Sequence, residues 1–244
     1  MATYLITGSS TGIGAETAKV LSENNELILT YCHSSGEAAT LKSILLQEYQ
    51  AKSVNFIQAN LSTEEGCIEL FNQVVGITDK LDALINNAGG MVTRESIDNF
   101  SWQTMESIFN LNTFSLFKVT SLALPLLKNS DAPSIVNLTS IASRLGGPGT
   151  TLYAAAKGAV DTFTRGAAKE LAPEIRVNSV SPGIIETPFH EKMSTKQQVL
   201  EWRENNPLKR NGTAYDVASA IKFCIENTFV NGESIDVNGG LHSR

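Results

Sequence analysis

Tyr4-Leu5-Ile6-Thr7-Gly8-Ser9-Ser10-Thr11-Gly12-Ile13-Gly14 is the stretch on which the fold of this chain turns. An apolar run of strand length, Tyr4–Thr7, breaks into a glycine-rich turn, and a helix-period run, Gly14–Glu23, follows at once. Each glycine suits a different need of a phosphate cradle. Gly8 permits a tight exit from the strand, Gly12 lets backbone approach a diphosphate, and Gly14 lets the helix pack closely on the sheet. The helix N-terminus then offers free N–H groups and a positive partial charge to the anion. A purely structural strand-to-helix turn would read the same way in isolation, so the string gains meaning from its surroundings.

Those surroundings repeat its pattern. Strand-like runs occur at Leu27–Tyr31, Val54–Ala59, Ala83–Asn86, Ser134–Leu138, Arg176–Val180 and Ser234–Val237. Amphipathic segments separate them at Ser35–Tyr49, Glu64–Ile77, Met105–Lys128, Leu152–Leu171 and Tyr215–Glu226. Strands that are apolar almost throughout, each followed by a helix, predict an α/β fold: a Rossmann-type, doubly wound parallel sheet of about seven strands with helices on both faces. Nothing between residues 1 and 244 reads as a repeat, a low-complexity tract or a linker, so a single domain is expected. The breaker cluster Gly146-Gly147-Pro148-Gly149 lies inside the pattern. The one long connection, 187–207, carries Phe189, Met193, Val199, Leu200 and Trp202 among charged residues and is expected to form a lid over the substrate.

At 244 residues the chain can bury a large core, and its 42% hydrophobic and 18% charged residues are those of a globular protein. A net charge of −6 with no run of Lys or Arg argues against nucleic acid or an anionic membrane as partner. No apolar run approaches the roughly 18 residues that span a bilayer. Cys32, Cys67 and Cys224 show neither C-x-x-C pairing nor metal spacing, and His33, His190 and His242 are scattered, so no metal is expected. With the first strand opening at Tyr4, no signal segment is expected, and a cytoplasmic setting is expected.

The chemistry concentrates further along. Tyr153 and Lys157 stand at i, i+4 in a helix-forming run and share one helix face. Chance alone supplies such a pair often enough that company has to decide. Ser140 ends a strand-like run thirteen residues earlier, and the glycine-rich link can fold its hydroxyl back toward the tyrosine. A phenol with a pKa near 10 is a poor acid–base catalyst at neutral pH. An ammonium one helical turn away favours the phenolate, and a serine hydroxyl can bind a substrate oxygen as charge develops. Such a trio suits proton transfer at an oxygen while a cofactor handles the hydride. At the end of the second strand, Leu29-Thr30-Tyr31-Cys32-His33-Ser34-Ser35 lacks the acid that would bind the adenosine ribose hydroxyls of NAD(H). His33 and Ser34 offer hydrogen-bond donors instead, without an Arg or Lys clamp. NADP(H) is therefore expected ahead of NAD(H).

Together with Thr7–Gly14, Ser140, Tyr153 and Lys157, the segments Asn86-Asn87-Ala88-Gly89, Pro182-Gly183 and Val237-Asn238-Gly239-Gly240 resemble those of the short-chain dehydrogenase/reductase family over nearly the whole chain. The resemblance implies that Tyr153 is the acid–base residue, that Ser140 orients the carbonyl and that Lys157 holds the nicotinamide ribose. It also implies an asparagine in the fourth long helix that holds a relay water. Asn112 is preferred for this over Asn110, by its distance from Phe117 and Pro125. Cofactor contacts are implied for Gly8, Ser10, Thr11, Ile13 and Gly14 at the diphosphate, Asn87, Ala88 and Gly89 near the ribose, and Pro182, Gly183, Ile185 and Thr187 at the carboxamide. The family's Asp at the adenine is replaced by Asn60-Leu61, where the amide oxygen of Asn60 would make a weaker contact.

The chain is similar throughout to 3-oxoacyl-[acyl-carrier-protein] reductases, which puts a ketone or secondary alcohol, with a carrier-protein or generic thioester ketone as the leading form, first among expected substrates. Lys128, Arg165 and Lys169 are the candidate docking cations for an acidic carrier. Sugar, polyol or other secondary-alcohol oxidoreduction with NAD(H), and a catalytically silent nucleotide-binding regulator, are the alternatives. The resemblance further implies a homotetramer or dimer built on the two long central helices, with Ala154, Ala155, Ala156, Gly158 and Ala159 allowing close packing.

Overall fold

In the computed structural model, which describes residues 1–188 and 195–242, the alternating pattern becomes a parallel sheet of seven strands. Its strands are β1 (Thr3–Ile6), β2 (Glu26–Tyr31), β3 (Ser53–Gln58), β4 (Ala83–Asn86), β5 (Ser134–Leu138), β6 (Arg176–Pro182) and β9 (Ser234–Val237). A separate two-stranded pair joins β7 (Ile185–Glu186) to β8 (Gly212–Thr213). The large sheet runs β3-β2-β1-β4-β5-β6-β9. The chain therefore starts at the centre, winds out to β3, returns to β4 beside β1 and winds out the other way. Where the winding reverses, the loops after β1 and β4 part and leave a crevice at the carboxyl ends of the strands.

The near-continuous hydrophobicity of the strands follows from burial on both faces. Leu5, Ile28, Leu84, Ile135 and Val177 point into one core, against Leu70 and Phe71 of α3 (Glu64–Val74), Val119 and Ala123 of α5 (Ser115–Leu127) and Ala167 of α7 (Thr151–Glu170). Their neighbours Ile6, Leu27, Leu29, Ile85, Val136 and Val180 point into the other. There they meet Ala18 and Leu21 of α1 (Gly12–Leu21), Leu41 and Leu45 of α2 (Ser35–Gln47), and Val217 and Ile221 of the helix Ala214–Glu226. Each such Leu, Ile or Val contributes roughly 1.5–3 kcal/mol by leaving water. A polar chain crosses the first core: Asn86 Nδ2 donates to Thr120 Oγ1 and Asn137 Oδ1, both at 2.9 Å, and Asn137 Nδ2 donates to Thr164 Oγ1 at 2.9 Å. It fixes α5 and α7 against β4 and β5. Because buried polar groups demand partners, it sets the register of the helix that carries Tyr153 and Lys157.

Arg176 secures the far edge. Its guanidinium donates to the carbonyls of Cys224, Ile225, Asn227 and Val230 at 2.6–3.1 Å, closing the C-terminal end of the helix Ala214–Glu226.

The helix expected over Met105–Lys128 is instead interrupted. α4 (Trp102–Phe109) and α5 are joined by a π-helical turn, Asn110–Phe114, in which Ser115 N–H reaches the Asn110 carbonyl. The added residue per turn is invisible to a periodicity reading, and such turns often accompany functional sites. Here it holds Asn112, a fully buried side chain, in hydrogen-bond contact with the backbone at Gly90. The β7–β8 pair was likewise unanticipated, because two-residue strands leave no pattern to read. Among the described residues, no helix is long and apolar enough to cross a membrane.

Candidate active site

A cavity of about 560 Å³ opens over the carboxyl ends of β1, β4, β5 and β6. Its floor begins with the glycine turn. Gly8 has φ +61°, and a Cβ there would stand 2.9 Å from the Ala88 Cα; a Cβ on Gly14 would stand 2.5 Å from Asn87 Nδ2 and 2.6 Å from the Gly8 carbonyl oxygen. Gly8 and Gly14 are thus demanded by packing. Gly12, with φ +59°, faces more open space, its imagined Cβ meeting only Thr187 at 3.6 Å. Asn87 locks the turn: its Nδ2 donates to the carbonyls of Thr7 and Gly8 at 2.9 and 2.8 Å, while its own N–H and that of Ala88 donate to Thr7 Oγ1 at 3.0 Å. The Asn87 amide therefore braces the loop rather than reaching outward. The first turn of α1 carries no acid, and the Thr11 side chain makes no cap, so the leading N–H groups of that helix stay available to an anion. Among the described residues, no Asp or Glu lines the cavity. These features fit the diphosphate of a dinucleotide.

Gly14→Ala is accordingly expected to cost about 1–3 kcal/mol, since neither neighbour of the new methyl group can yield cheaply, and to weaken dinucleotide binding as the turn shifts. Thermal melts and a fluorescence titration with NADPH measure both. A variant with wild-type melting and wild-type affinity would contradict this account of the turn.

Ser140, Tyr153 and Lys157 converge on the same cavity. Ser140 sits just beyond β5, where its Oγ accepts from the Ala142 N–H at 3.1 Å and its hydroxyl is hydrogen-bonded to Tyr153. Burial pushes the Tyr153 phenol above its usual range, and the Ser140 hydrogen bond works the other way. The Lys157 ammonium is not among the causes of that shift. The buried Lys157 Nζ instead donates to the Leu138 carbonyl at 2.8 Å. Burial lowers its pKa from 10.5 to about 8, which keeps the ammonium predominantly protonated at neutral pH. A protonated phenol held by a serine hydroxyl, with an ammonium one turn below, can donate a proton to an oxygen.

Gly89 ties Asn112 to this group. A Cβ on Gly89 would stand 2.9 Å from Asn112 Oδ1 and 3.1 Å from Lys157 Nζ, so both polar atoms flank one bare Cα. Asn112 Nδ2 spends its hydrogens on the carbonyls of Gly90 and Ile108, both at 2.9 Å, and Oδ1 accepts from Gly90 N–H at 2.9 Å. The side chain is a brace for the 89–90 turn.

The other expected site residues divide. Thr11, Ile13, Ala88, Gly89, Pro182, Gly183, Ile185 and Thr187 line the cavity; Ser10, Gly14, His33, Ser34, Asn60, Leu61 and Asn112 do not. His33 is exposed, with Nε2 3.4 Å from Cys32 Sγ. Ser34 precedes α2 without capping it through its side chain. Asn60 Oδ1 already accepts from the Ser62 N–H and hydroxyl at 3.2 and 2.7 Å, which leaves little for an adenine. Leu61 is buried in the core with α3.

Several lining residues escaped sequence reasoning: Met91 and Arg94 after β4, and Leu241 near the C-terminus. No motif marks them, because each arrives from a loop whose path only the fold sets. The expected walls are present in part. Gly146, Gly147, Pro148 and Thr150 line the cavity, as do Trp202 and Asn205 from the helix Lys196–Asn205. Phe189 and Met193 of the expected lid lie outside the described residues. Behind Ser140, the largely buried Arg144 bridges Asp236 of β9 at 3.3 Å and Asp161 of α7 at 3.7 Å, fastening the serine loop to the tyrosine helix.

Comparison with known proteins agrees with this geometry. The profile of a family described as Enoyl-(Acyl carrier protein) reductase matches residues 8–242. The uncharacterized oxidoreductase YgfF of Escherichia coli is 34% identical, over 98% of this chain and 100% of its own length. The 3-oxoacyl-[acyl-carrier-protein] reductase FabG of Staphylococcus epidermidis is 32% identical over 98% of each chain. Among solved structures, a short-chain dehydrogenase/reductase of Brucella melitensis described as a glucose/ribitol dehydrogenase superposes with a TM-score of 0.89. It is 30% identical, covering 100% of this chain and 97% of that one.

Proposed function

The chain belongs to the short-chain dehydrogenase/reductase family of NAD(P)-dependent oxidoreductases, and from that premise we propose that it reduces a ketone to a secondary alcohol with NADPH, Tyr153 supplying the proton. The observation that carries this reading is the convergence of Ser140, Tyr153 and Lys157 on one cavity with the glycine turn. The nicotinamide cofactor, when bound, supplies the hydride. Ser140 holds the carbonyl oxygen by a hydrogen bond and steadies the negative charge that builds there. Tyr153 delivers its phenolic proton to that oxygen, and the Lys157 ammonium favours the phenolate left behind. Asn112 keeps the 89–90 turn and Lys157 in place from the π-helical turn.

For the cofactor, the segment 31–35 contains no carboxylate to repel a 2′-phosphate, and the Ser34 hydroxyl is not used as a helix cap. Both support NADPH over NADH. Among substrates, the apolar Met91, Leu145, Pro148, Ile184, Trp202 and Leu241 in the lining favour a carbonyl on an aliphatic body, such as a 3-oxoacyl thioester. The Staphylococcus relative acts on a substrate of that kind. Sugar or polyol oxidation is the second reading, favoured by the glucose/ribitol dehydrogenase neighbour. Of the basic residues suited to a carrier protein, Lys128 and Lys169 are exposed, but Arg165 is engaged by Asp161. A homotetramer or dimer accords with Trp102 and Phe114, 73% and 53% exposed on the α4–α5 segment.

The test is a panel of 3-oxoacyl thioesters, cyclic ketones and aldoses followed at the NAD(P)H absorbance with each cofactor at equal concentration. Faster turnover with NADPH on a ketone is expected. Faster turnover with NADH reverses the cofactor assignment, and activity confined to sugar oxidation reverses the substrate assignment.

A further inference from the structure

The lining of the cavity also carries positive charge. Lys157 and Arg94 are the only cationic side chains in its described lining, and no carboxylate accompanies them. Lys157 is buried beside Tyr153 and held by Leu138. Arg94 is exposed, on the loop after β4, and forms no ion pair with any described residue. Its position is not loose. The Glu95 N–H donates to the Gly149 carbonyl at 3.1 Å, and a Cβ built on Gly149 would lie 3.6 Å from Arg94 Cβ. Gly149 in turn stands one residue from Thr150, where the run into α7 and Tyr153 begins. These two contacts tie the base of the Arg94 side chain to the run that leads into Tyr153. Glu95, the adjacent carboxylate, is outside the lining and has Oε2 buried. The same lining includes the apolar side chains of Met91, Leu145, Pro148 and Trp202.

Resting on the reductase reading above, we infer that Arg94 receives an anionic group, a carboxylate or phosphate, carried by the substrate at the far end of an apolar spacer from the reacting carbonyl. A guanidinium at the rim of an apolar cavity is costly to leave without an anion once substrate displaces water. It binds carboxylate and phosphate oxygens through paired N–H donors. The substrate class is therefore an oxo acid or an oxoacyl phosphate-bearing conjugate, rather than a neutral ketone or an unmodified sugar.

The test compares 4-oxopentanoate, 5-oxohexanoate and 6-oxoheptanoate with their methyl esters, and acetoacetyl-coenzyme A with the neutral acetoacetyl-N-acetylcysteamine. For at least one pair, the anionic member is expected to show kcat/KM about tenfold higher or more, the ratio collapsing toward one in Arg94→Gln and largely returning in Arg94→Lys. Preference confined to the coenzyme A pair assigns the anion to a phosphate, and preference in the oxo-acid series assigns it to a carboxylate. Calorimetry of hexanoate against methyl hexanoate, and of 4′-phosphopantetheine against pantetheine, on the NADP⁺-loaded protein gives a readout free of turnover. Equal binding of both members of each pair, or a preference that survives Arg94→Gln, overturns the inference. Arg94-dependent anion binding without reduction of any ketone would leave Arg94 assigned and overturn the reductase reading.

Discussion

Tyr153→Phe is expected to lower kcat for ketone reduction by about a thousandfold, within the range that loss of a positioned general acid produces, while the affinity for NADPH stays within about twofold. The two expectations separate chemistry from binding. The substitution removes one oxygen and keeps the aromatic ring in its half-buried place. The phenol is pushed toward its protonated form by burial, so no charge is lost with it. One hydrogen bond to Ser140 disappears, a cost of about 1 kcal/mol, too small to unfold the chain. Stopped-flow reduction under single-turnover conditions, with a parallel fluorescence titration of cofactor, measures both quantities. A fall of less than about tenfold would show that another group, or water, delivers the proton. The Tyr153 role would then have to be withdrawn along with the family-based mechanism.

How much of this was legible in the sequence differs by kind of feature. The sheet was readable because burial on two faces forces strands such as Leu27–Tyr31 and Ser134–Leu138 to be apolar at nearly every position. The glycine turn was readable because Gly8 and Gly14 answer steric demands that no other residue meets. Ser140, Tyr153 and Lys157 could be named as a group because two of them share a helix face and the third ends a strand. What stayed hidden has a common cause: it depends on the path of the backbone between elements. The π-helical turn around Asn112 inserts a residue without changing composition. The engagement of Asn60 by Ser62 is a local side-chain choice that an Asp-to-Asn comparison cannot foresee. Arg94 reaches the cavity because the loop after β4 hydrogen-bonds to Gly149, residues far apart in the chain. The raised phenol of Tyr153 is of the same type, since i, i+4 spacing indicates that Lys157 is near but not that its ammonium turns to Leu138.

That last contact makes Lys157 the residue where function and stability oppose each other most directly. Its side chain is 3% exposed and donates to the Leu138 carbonyl, and burial brings its pKa from 10.5 down to about 8. In the unfolded chain the group titrates near 10.5, so between about pH 8 and 10.5 the unfolded state holds the extra proton and stability rises with pH. Below about pH 8 the folded protein bears the whole cost of the buried charge, about 3 kcal/mol; above about 10.5 it bears none. Lys157→Met fills a similar volume without charge. It is expected to be more stable than the wild type at pH 7 by about 2 kcal/mol, once the lost hydrogen bond to Leu138 is set against the relieved burial. The advantage should fade as the pH is raised through 8 to 10.5. Over the same substitution kcat should fall by about a hundredfold or more, because nothing then favours the phenolate that Tyr153 leaves behind. Urea midpoints at pH 7 and pH 10, taken beside turnover at pH 7, test the pair of expectations together. A variant that is less stable at pH 7, or whose stability difference does not change with pH, would mean that Lys157 is better accommodated than its burial implies. A buried ammonium kept at this cost is the trade expected of a residue retained for chemistry rather than for the fold.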